Sequence, residues 1–253
     1  MSLLEQFRMD GRVAVVTGSS KGIGLGIARG LADAGCDLVI TARKADEVAA
    51  AAADVRARGV RAVEVVGDVT TIVPDLIAAA MDGLGRLDVW VSNAGGSDHD
   101  GNFATLEMPE WHWDAQIELN LRTHFLAARY ATEVMGSGGS LIGIASTAAL
   151  GPSPRYAAYG AAKAGMIQLA KTLAVDLAPK GIRSNIVSPG IVPTESLTRV
   201  GGVSDDMLPA MTRQVPLGRL GTPDDIAAAV LYLVSPAGSW VTGQNIVVSG
   251  GRG

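Results

Sequence analysis

Residues 12–24 read RVAVVTGSSKGIG, and this stretch decides the fold. Its first half, 12–17, is a short β-branched run without alternation of polar and apolar residues, which is typical of a parallel strand buried on both faces. Its second half has glycines at positions 18, 22 and 24. Helical spacing of apolar residues then extends from 25 to 34. The stretch therefore predicts a strand, a glycine-rich turn and a helix in direct succession.

The spacing of the three glycines suits the pyrophosphate of a dinucleotide. Gly18 permits a tight turn, Gly22 lets the backbone approach the phosphates closely, and Gly24 lets the helix pack against the sheet. The start of the helix also offers unpaired N–H groups and a positive partial charge. The chain has 32 glycines, so the pattern can arise by chance, but its place at a strand–helix junction favours dinucleotide binding.

The alternation of strands and helices continues along the chain. Further apolar runs predict strands at 38–42, 61–66, 87–91, 140–145, 182–187 and 245–248. Helical patterns follow at 45–58, 74–84, 111–135, 154–178 and 222–234. The last helix opens with the capping signal Thr-Pro-Asp-Asp. Because no linker or repeat interrupts this order, we expect one α/β domain over 1–253, a doubly wound Rossmann fold with a seven-stranded parallel sheet flanked by helices.

One long segment, 189–220, has no convincing periodicity. It follows the carboxyl end of a strand, where the sites of open α/β sheets gather. Long irregular segments in compact domains often form lids or binding loops. We expect a substrate lid at about 190–220; a meandering surface connection is the alternative.

Composition and charge exclude several classes of protein. Hydrophobic residues make up 48% of the chain, and the net charge is −4 without a long run of one sign. The scattered Lys and Arg argue against nucleic-acid binding and against electrostatic attachment to a membrane. Cys36 is the only cysteine, which excludes an internal disulfide, and we expect it to be buried. Without a signal-peptide core or an apolar stretch of roughly 20 residues, the sequence predicts a cytoplasmic protein.

A candidate acid–base pair lies in the sequence STAALGPSPRYAAYGAAK at 146–163. Tyr159 and Lys163 are four residues apart on a predicted helix, so their side chains share one face, about 6 Å apart along the axis. A neighbouring ammonium lowers the pKa of a tyrosine, which is ordinarily about 10. Ser146 follows an apolar strand and would bring its hydroxyl to the same cleft. The set suits proton transfer to a carbonyl oxygen, although such a Tyr–Lys spacing also occurs by chance.

The residues after the second strand predict which dinucleotide is bound. An NAD site usually has an acid there, about 20 residues past the glycines, to bind the ribose 2′-OH. This chain has Thr-Ala-Arg-Lys at 41–44 instead, and Asp37 comes too early. Arg43, with Lys21 in the glycine turn, would neutralise a 2′-phosphate. We predict NADP(H) and regard NAD as less favoured; the alternative is that Arg43 is a solvated residue at a helix start.

Taken in order, these motifs resemble those of the short-chain dehydrogenase/reductase family over nearly the whole chain. The family's TGxxxGxG matches 17–24, and its NNAG matches SNAG at 92–95, with Ser in the first place. Its P-G after the sixth strand matches positions 189–190. Each motif alone is weak, but their agreement in order and spacing is specific.

The resemblance implies a catalytic set of Asn120, Ser146, Tyr159 and Lys163. Tyr156 does not fit the family's YxxxK, because a glycine stands four residues later. In the implied reaction NADPH delivers hydride to a carbonyl carbon while the tyrosine protonates the oxygen. The serine donates a hydrogen bond to the developing oxyanion, the lysine lowers the phenol pKa and holds the nicotinamide ribose, and the asparagine positions a water that passes protons to the lysine.

The resemblance also extends the cofactor site beyond the glycine turn. Asp68 would reach the adenine, Asn93 would steady the centre of the sheet, and 191–194 would contact the nicotinamide amide and phosphate. Together, the expected cofactor contacts are Gly18, Ser20, Lys21, Gly22, Ile23, Gly24, Arg43, Asp68, Val69, Asn93, Ala94, Gly95, Tyr159, Lys163, Pro189, Gly190, Ile191, Val192 and Thr194.

The expected activity is NADP(H)-dependent transfer of hydride between nicotinamide and a ketone or secondary alcohol. Within the family the chain is similar to 3-oxoacyl-thioester (acyl-carrier-protein) reductases, with sugar or polyol and cyclic-ketone dehydrogenases as alternatives. Substrate contacts are expected from 96–102, 147–156 and 191–215. The resemblance further implies a homotetramer. The alternative from a different class is a non-catalytic dinucleotide-binding sensor, which would not need all four catalytic residues.

Two further clusters in the sequence have simpler explanations. His99 lies between Asp98 and Asp100, but a solvated loop is favoured over a metal site, and we expect no metal. Trp111 and Trp113 flank a histidine near the start of the long predicted helix, where packing in the core or at an interface is the expected role.

Overall fold

The predicted strands all belong to one sheet. This computed structural model describes residues 2–97, 103–195 and 204–252. The strands are β1 (Val13–Val16), β2 (Asp37–Ala42), β3 (Ala62–Val66), β4 (Val89–Ser92), β5 (Ser140–Ile144), β6 (Arg183–Pro189) and β7 (Asn245–Val248). Their order is β3-β2-β1-β4-β5-β6-β7, and every neighbouring pair is parallel. The seven-stranded, doubly wound sheet is therefore confirmed.

Helices cover both faces of this sheet. They are α1 (Gly22–Asp33), α2 (Ala45–Arg56), α3 (Val73–Leu84), α4 (Glu110–Ile117), α5 (Thr123–Val134), α6 (Ala157–Leu177), α7 (Leu208–Thr212) and α8 (Pro223–Val234). On one face Ile27 and Ile226 pack with Val16, and on the other Leu76 packs with Trp90. Full burial of such side chains contributes about 1.5–3 kcal/mol each, so these two cores fix the helices against the sheet.

The order of the strands locates the crevice in which a ligand would bind. Successive strands run outward from β1 to β3, and the chain then returns to place β4 on the other side of β1. Open α/β sheets bind ligands beyond the carboxyl ends of the strands at this reversal. The glycine turn follows β1, residues 93–95 follow β4, and Ser146 follows β5, so the predicted motifs meet at one edge.

The long helix predicted at 111–135 is interrupted. Between α4 and α5 the five residues Glu118–Arg122 form a π-helical turn. Such turns accommodate an extra residue and are frequent at functional sites. This one contains Asn120, whose side chain is fully buried and exchanges two hydrogen bonds, of 3.0 and 3.1 Å, with the backbone of Gly96. Helical periodicity does not reveal an insertion of one residue, so the sequence did not predict it.

The helix predicted at 154–178 begins later, at Ala157. Arg155 has a φ of 67° and is the only non-glycine residue with a positive φ in the described ranges. That left-handed conformation cannot continue a right-handed helix. The turn that it makes, together with the preceding proline at 154, explains the later start.

The irregular segment 189–220 is less irregular than its sequence suggested. Strand β6 extends to Pro189, and α7 lies within the segment after a 3₁₀ turn at Asp205–Met207. Residues 196–203 lie outside the described ranges. The assignment of a lid to about 190–220 stays a prediction.

The single cysteine is fully buried, as expected. Cys36 lies just before β2 among the core residues, and its thiol contacts the carbonyl oxygens of Arg12 and Asp37 at 3.4 Å. Burial raises the pKa of this thiol far above its usual value, so the thiolate does not form at neutral pH.

The start of α8 offers a test of the capping signal. Thr222 and Asp225 form a capping box: the Thr222 Oγ1 accepts from the Asp225 N–H at 3.3 Å, and the Asp225 carboxylate accepts from the Thr222 N–H at 2.8 Å. We expect Thr222→Ala to lower the free energy of unfolding by about 1 kcal/mol, because the Asp225 N–H in the first turn of the helix loses its hydrogen-bond acceptor. Urea unfolding followed by circular dichroism measures this, with Thr222→Ser as the control that keeps the cap. Equal stability of the two variants would contradict the assignment.

Candidate active site

In the turn after β1, the glycine positions 18 and 24 have no room for a side chain. Gly18 has a φ of 64°, which favours glycine, and this is the tight turn that the sequence predicted. A Cβ at Gly24 would lie 2.2 Å from the Gly18 carbonyl oxygen and 2.5 Å from the Asn93 Nδ2. The helix therefore packs on the turn only because position 24 is glycine. The resulting cradle, closed by backbone and open to the N-terminus of α1, fits a dinucleotide pyrophosphate.

Asn93 joins the carboxyl ends of the two central strands. Its Nδ2 donates to the carbonyl oxygens of Thr17 and Gly18, at 2.8 and 3.2 Å. In return, the Thr17 Oγ1 accepts from the backbone N–H groups of Asn93 and Ala94, at 3.0 and 2.9 Å. This arrangement agrees with the expected role of Asn93 at the centre of the sheet.

Lys163 is a buried cation at the end of β5. Only 2% of the residue is exposed, and its Nζ donates to the Ile144 carbonyl oxygen at 2.8 Å. Burial lowers the pKa of this amine to about 7, because the charged form loses its hydration. A Cβ at Gly95 would lie 3.2 Å from this Nζ and 2.6 Å from the Asn120 Oδ1. Lys163, Asn120 and the backbone at Gly95 therefore converge on one point.

Tyr159 and Ser146 complete the predicted set. The Lys163 Nζ lies 5.7 Å from the centre of the Tyr159 ring, which confirms that the two side chains share a helix face. The side chain of Ser146 interacts with the phenol, and its Oγ also accepts from the Ala148 N–H at 3.1 Å. A phenol, a hydroxyl and an amine are thus brought together in one cleft.

The direction of the Tyr159 shift differs from the expectation. Burial raises the pKa of the phenol above its ordinary value, and the Ser146 interaction opposes this only in part. Lys163 makes no contribution to this shift, so the expected lowering by the lysine is not found and desolvation by burial dominates. The phenol therefore retains its proton and is suited to act as an acid.

The adenine end of the predicted site contains Asp68 and Arg43. The Asp68 Oδ1 accepts from the N–H and the hydroxyl of Thr70, at 2.9 and 2.7 Å. The Thr70 backbone bond, with a smaller contribution from the charge of Arg43, holds the pKa of this carboxyl below its usual value. Arg43 is exposed and has no carboxylate within ion-pair distance in the described residues. Val69 follows directly, at the same edge of the sheet.

The nicotinamide end of the predicted site is formed by the residues after β6. The Gly190 N–H donates to the Val248 carbonyl oxygen at 2.9 Å, and the Ile191 carbonyl oxygen accepts from the Gly221 N–H at 2.9 Å. Thr194 lies against the glycine turn, since a Cβ at Gly22 would be 3.1 Å from the Thr194 Cγ2. The segment predicted to contact the cofactor therefore faces the turn predicted to hold its phosphates.

Sequence reasoning missed a buried polar group beside Lys163. His124 is 1% exposed, its Nδ1 lies 2.9 Å from the Ser92 Oγ, and that hydroxyl also accepts from the Trp90 Nε1 at 3.2 Å. Burial, assisted by the charge of Lys163, lowers the pKa of His124 to about 4, so the ring is neutral at pH 7. The serine that replaces the first Asn of NNAG thus has a partner of its own. In the sequence, Ser92 was notable only for its position in that motif, and no pattern pointed to His124.

Two acids near Lys21 were also missed. The Lys21 Nζ lies 3.0 Å from the Glu47 Oε1 and 2.8 Å from the Glu195 Oε2. The i, i+3 spacing of Lys44 and Glu47 at the start of α2 is a signal for Glu47 in the sequence, whereas nothing in the sequence links Glu195 to the glycine turn. Lys21 is therefore present where it was predicted, but with carboxylates as its partners.

The remaining predicted features are described only in part. His99 and its flanking acids lie outside the described ranges, as does most of the expected substrate segment 96–102. In the described residues, no three His, Cys, Asp or Glu side chains are grouped so as to hold a metal. No helix of the described chain is long and apolar enough to cross a bilayer. Near the cleft, the rings of Trp111 and His112 pack edge to face, 5.5 Å apart, and Trp111 is largely exposed.

Comparison with known proteins finds relatives that match nearly the whole chain. The family profile described as enoyl-(acyl carrier protein) reductase matches residues 18–252. An uncharacterized oxidoreductase of Methylorubrum extorquens is 39% identical over 248 residues, 96% of this chain and 98% of the relative. The structure of a 7α-hydroxysteroid dehydrogenase complexed with NADH and 7-oxo glycochenodeoxycholic acid superimposes with a TM-score of 0.92 at 33% identity, covering 100% of this chain and 98% of that one.

A further solved structure carries the other form of the cofactor. A short-chain dehydrogenase from Burkholderia cenocepacia in complex with NADP has a TM-score of 0.88 and 31% identity, covering 97% of this chain and 99% of that one. The extent of these matches, together with the glycine turn and the Ser–Tyr–Lys cleft, identifies the family. The chain belongs to the short-chain dehydrogenase/reductase family of oxidoreductases, which act on alcohols and ketones.

Proposed function

We propose that this protein is an NADP(H)-dependent carbonyl reductase that transfers hydride between nicotinamide and a ketone or secondary alcohol. The observation that carries the proposal is the convergence of Tyr159, Ser146 and the buried Lys163 in one cleft, beside a glycine turn that fits a dinucleotide. A non-catalytic sensor would have no reason to bury an amine next to a phenol, since burial of either group costs free energy.

The chain's own residues would handle the proton in this reaction. When bound, the nicotinamide supplies or accepts the hydride. Tyr159 retains its proton in the cleft and would give it to the carbonyl oxygen, while Ser146 donates a hydrogen bond to the charge that develops there. Lys163 uses one N–H on Ile144 and has donors left to hold the ribose and to return a proton to the phenol.

The residues around the adenine ribose favour NADP(H). Arg43 is exposed on the turn after β2, where an NAD-specific site would place an acid. Lys21 and Lys44 both pair with the Glu47 carboxylate, at 3.0 and 2.9 Å, and Arg43 directly precedes Lys44, so three cations lie in the region that a 2′-phosphate would enter. Relatives have been solved with each cofactor, one with NADH and one with NADP, so the preference rests on these residues.

We further propose a 3-oxoacyl thioester as the substrate class. The matching family profile is described as enoyl-(acyl carrier protein) reductase, and a 3-oxoacyl thioester shares the acyl-thioester group of that substrate while carrying a ketone at C3 that a phenol could protonate. A cyclic ketone is the second candidate, because a structural relative is complexed with a 7-oxo steroid. A screen of 3-oxoacyl thioesters, cyclic ketones and sugars with NADPH, with initial rates compared, tests the choice.

The cellular setting and assembly are proposals of the same kind. We propose a cytoplasmic homotetramer with a substrate lid at about 190–220. Trp111, Trp113 and Phe125 leave more than two-fifths of their surface exposed on neighbouring helices, which suits packing against another copy. Light scattering of the purified protein measures the number of subunits.

The proposed acid of the reaction is the Tyr159 phenol. We expect Tyr159→Phe to lower kcat at least a thousandfold while changing the Kd for NADPH less than threefold, because the acid is lost but the ring remains. Steady-state rates and fluorescence titration measure the two quantities. Tyr130→Phe is the matched control, since that tyrosine packs against the hydrophobic core on one face of the sheet and should keep normal turnover. Normal turnover of Tyr159→Phe would overturn the assignment.

The preference between the two cofactors depends on Arg43 in this proposal. We expect Arg43→Gln to raise the KM for NADPH about tenfold and to leave the KM for NADH within twofold, because only NADPH has the 2′-phosphate. Arg8→Gln, which removes an exposed arginine paired with Asp10 elsewhere, is the control. A wild-type preference for NADH would remove the NADP(H) proposal altogether.

The lowered pKa of Lys163 implies a pH dependence of the reaction. Because the amine must be protonated to return a proton to the phenol, ketone reduction should be fastest below pH 7 and should fall as the pH rises through about 7, where the amine loses its proton. The pH dependence of kcat with saturating NADPH measures this. Lys163→Arg, whose guanidinium stays protonated and cannot return a proton, should turn over more slowly and without that decline; a decline of equal size in the variant would show that another group causes it.

A further inference from the structure

The side-chain nitrogen of Asn120 is surrounded by hydrogen-bond acceptors. Its Nδ2 lies 3.1 Å from the Gly96 carbonyl oxygen, 3.2 Å from the Gln116 carbonyl oxygen and 3.1 Å from the Gln116 Oε1. Its Oδ1 accepts from the Gly96 N–H at 3.0 Å. A reversed amide would place its oxygen against these three oxygens and its nitrogen against an N–H group. The neighbours therefore determine which way the Asn120 amide faces.

Gln116 supplies two of these three acceptors. It lies near the end of α4, four residues before Asn120, and only 1% of the residue is exposed. Residues at this spacing lie on one side of a helix, so the two amides can meet. Burial of an amide costs free energy unless it is hydrogen-bonded, so packing alone would favour an apolar side chain at position 116. The presence of glutamine there therefore calls for a polar role.

The π turn explains why Asn120 needs support from a neighbouring side chain. Asn120 lies in the middle of the turn at Glu118–Arg122, where the regular bonding of an α-helix is interrupted. Gln116 precedes this turn and belongs to the regular helix α4. A side chain from the regular helix thus holds a side chain on the irregular turn.

The oxygen of the Asn120 amide lies on the side of Lys163. A Cβ at Gly95 would be 2.6 Å from the Asn120 Oδ1 and 3.2 Å from the Lys163 Nζ, so both atoms border the same point. The Nζ donates one hydrogen to the Ile144 carbonyl oxygen and, when protonated, has two more to donate. An oxygen on this side can accept from the amine directly or through one water, whereas an NH₂ group would repel it.

We propose that Gln116 is a positioning residue whose Oε1 holds the Asn120 Nδ2 and thereby keeps the Asn120 Oδ1 on the side of Lys163. Gln116 acts through Asn120 and not on the substrate. Its effect on turnover rests on the proposed function, in which Lys163 returns a proton to the phenol. The state of the Asn120 amide can also be measured without substrate or cofactor.

Gln116→Met in the full chain removes the side-chain acceptor and keeps a similar volume. We expect kcat for ketone reduction to fall about fivefold, the size of one neutral hydrogen bond, and the KM for the ketone and the Kd for NADPH to change less than about twofold. Steady-state rates and fluorescence titration measure these quantities.

Thr132→Val is the matched control for loss of a buried hydrogen bond. The Thr132 Oγ1 donates to the Ala128 carbonyl oxygen at 2.7 Å on α5, about three turns beyond Asn120. This variant should lower the midpoint of urea unfolding and leave kcat unchanged. An equal loss of kcat in both variants would overturn the inference, because it would show that any weakening of these helices slows turnover.

A double-mutant cycle tests whether Gln116 acts through Asn120. In an Asn120→Ala background, Gln116→Met should change the residual kcat less than about twofold, because the amide that it positions is already absent. A fivefold loss that persists without Asn120, or a changed KM with an unchanged kcat, would overturn the inference.

A measurement without turnover separates this inference from the proposed function. In protein with isotopically labelled asparagine, the side-chain NH₂ signal of Asn120 is the one that disappears in Asn120→Ala. In Gln116→Met this signal should shift and its hydrogens should exchange with solvent faster, whereas Thr132→Val should leave both unchanged. An unchanged signal in Gln116→Met would overturn the inference. A changed signal in a protein that reduces no ketone would uphold the positioning of Asn120 and count against the proposed function.

Discussion

The site depends on one steric constraint, the contact between α1 and the turn that precedes it. Position 24 lies so close to the Gly18 carbonyl oxygen and to Asn93 that no side chain fits there. This contact brings the N-terminus of α1 down onto the sheet at the point where the strand order reverses. The same asparagine ties β1 to β4, so the phosphate cradle and the centre of the sheet are fixed together. The other side chains of the cleft lie around this junction of α1, β1 and β4.

Burial shifts the pKa values of the proposed catalytic groups, Lys163 and Tyr159, more than their mutual charges do. The sheet end and α6 surround Lys163, and loss of hydration moves its pKa down while that of Tyr159 moves up. Both shifts favour the neutral forms, so the resting cleft holds a protonated phenol beside an amine that readily gains and loses a proton. The carbonyl of Ile144 compensates part of the cost of burying the amine.

Much of the fold and part of the candidate site could be predicted from the sequence, because both depend on local patterns of residues. Glycines, β-branched runs and the spacing of Tyr159 and Lys163 predicted the fold, the turn and a shared helix face, since each is set by residues close in the chain. The π turn around Asn120 was not predictable, because one inserted residue hardly changes the apolar period. The Glu195 contact was not predictable either, because it joins segments about 170 residues apart in the chain through the tertiary fold alone.

Desolvation also explains why the sign of the tyrosine shift was wrong. The sequence shows that a lysine is one turn away, but it does not show how much water remains around the pair. That quantity depends on the packing of β5, α6 and the loop after Ser146, which only the three-dimensional structure gives.

The enclosed thiol of Cys36 has a practical consequence. Because it is the chain's only sulfhydryl and lies entirely within the core, an alkylating reagent can modify it only after the surrounding sheet and helices separate. The rate of that modification therefore reports how often the whole domain opens, with no engineered label. Because the cleft contains no cysteine, the extent of thiol modification, measured by the mass of the Cys36 peptide, counts these openings separately from any reaction at the cleft.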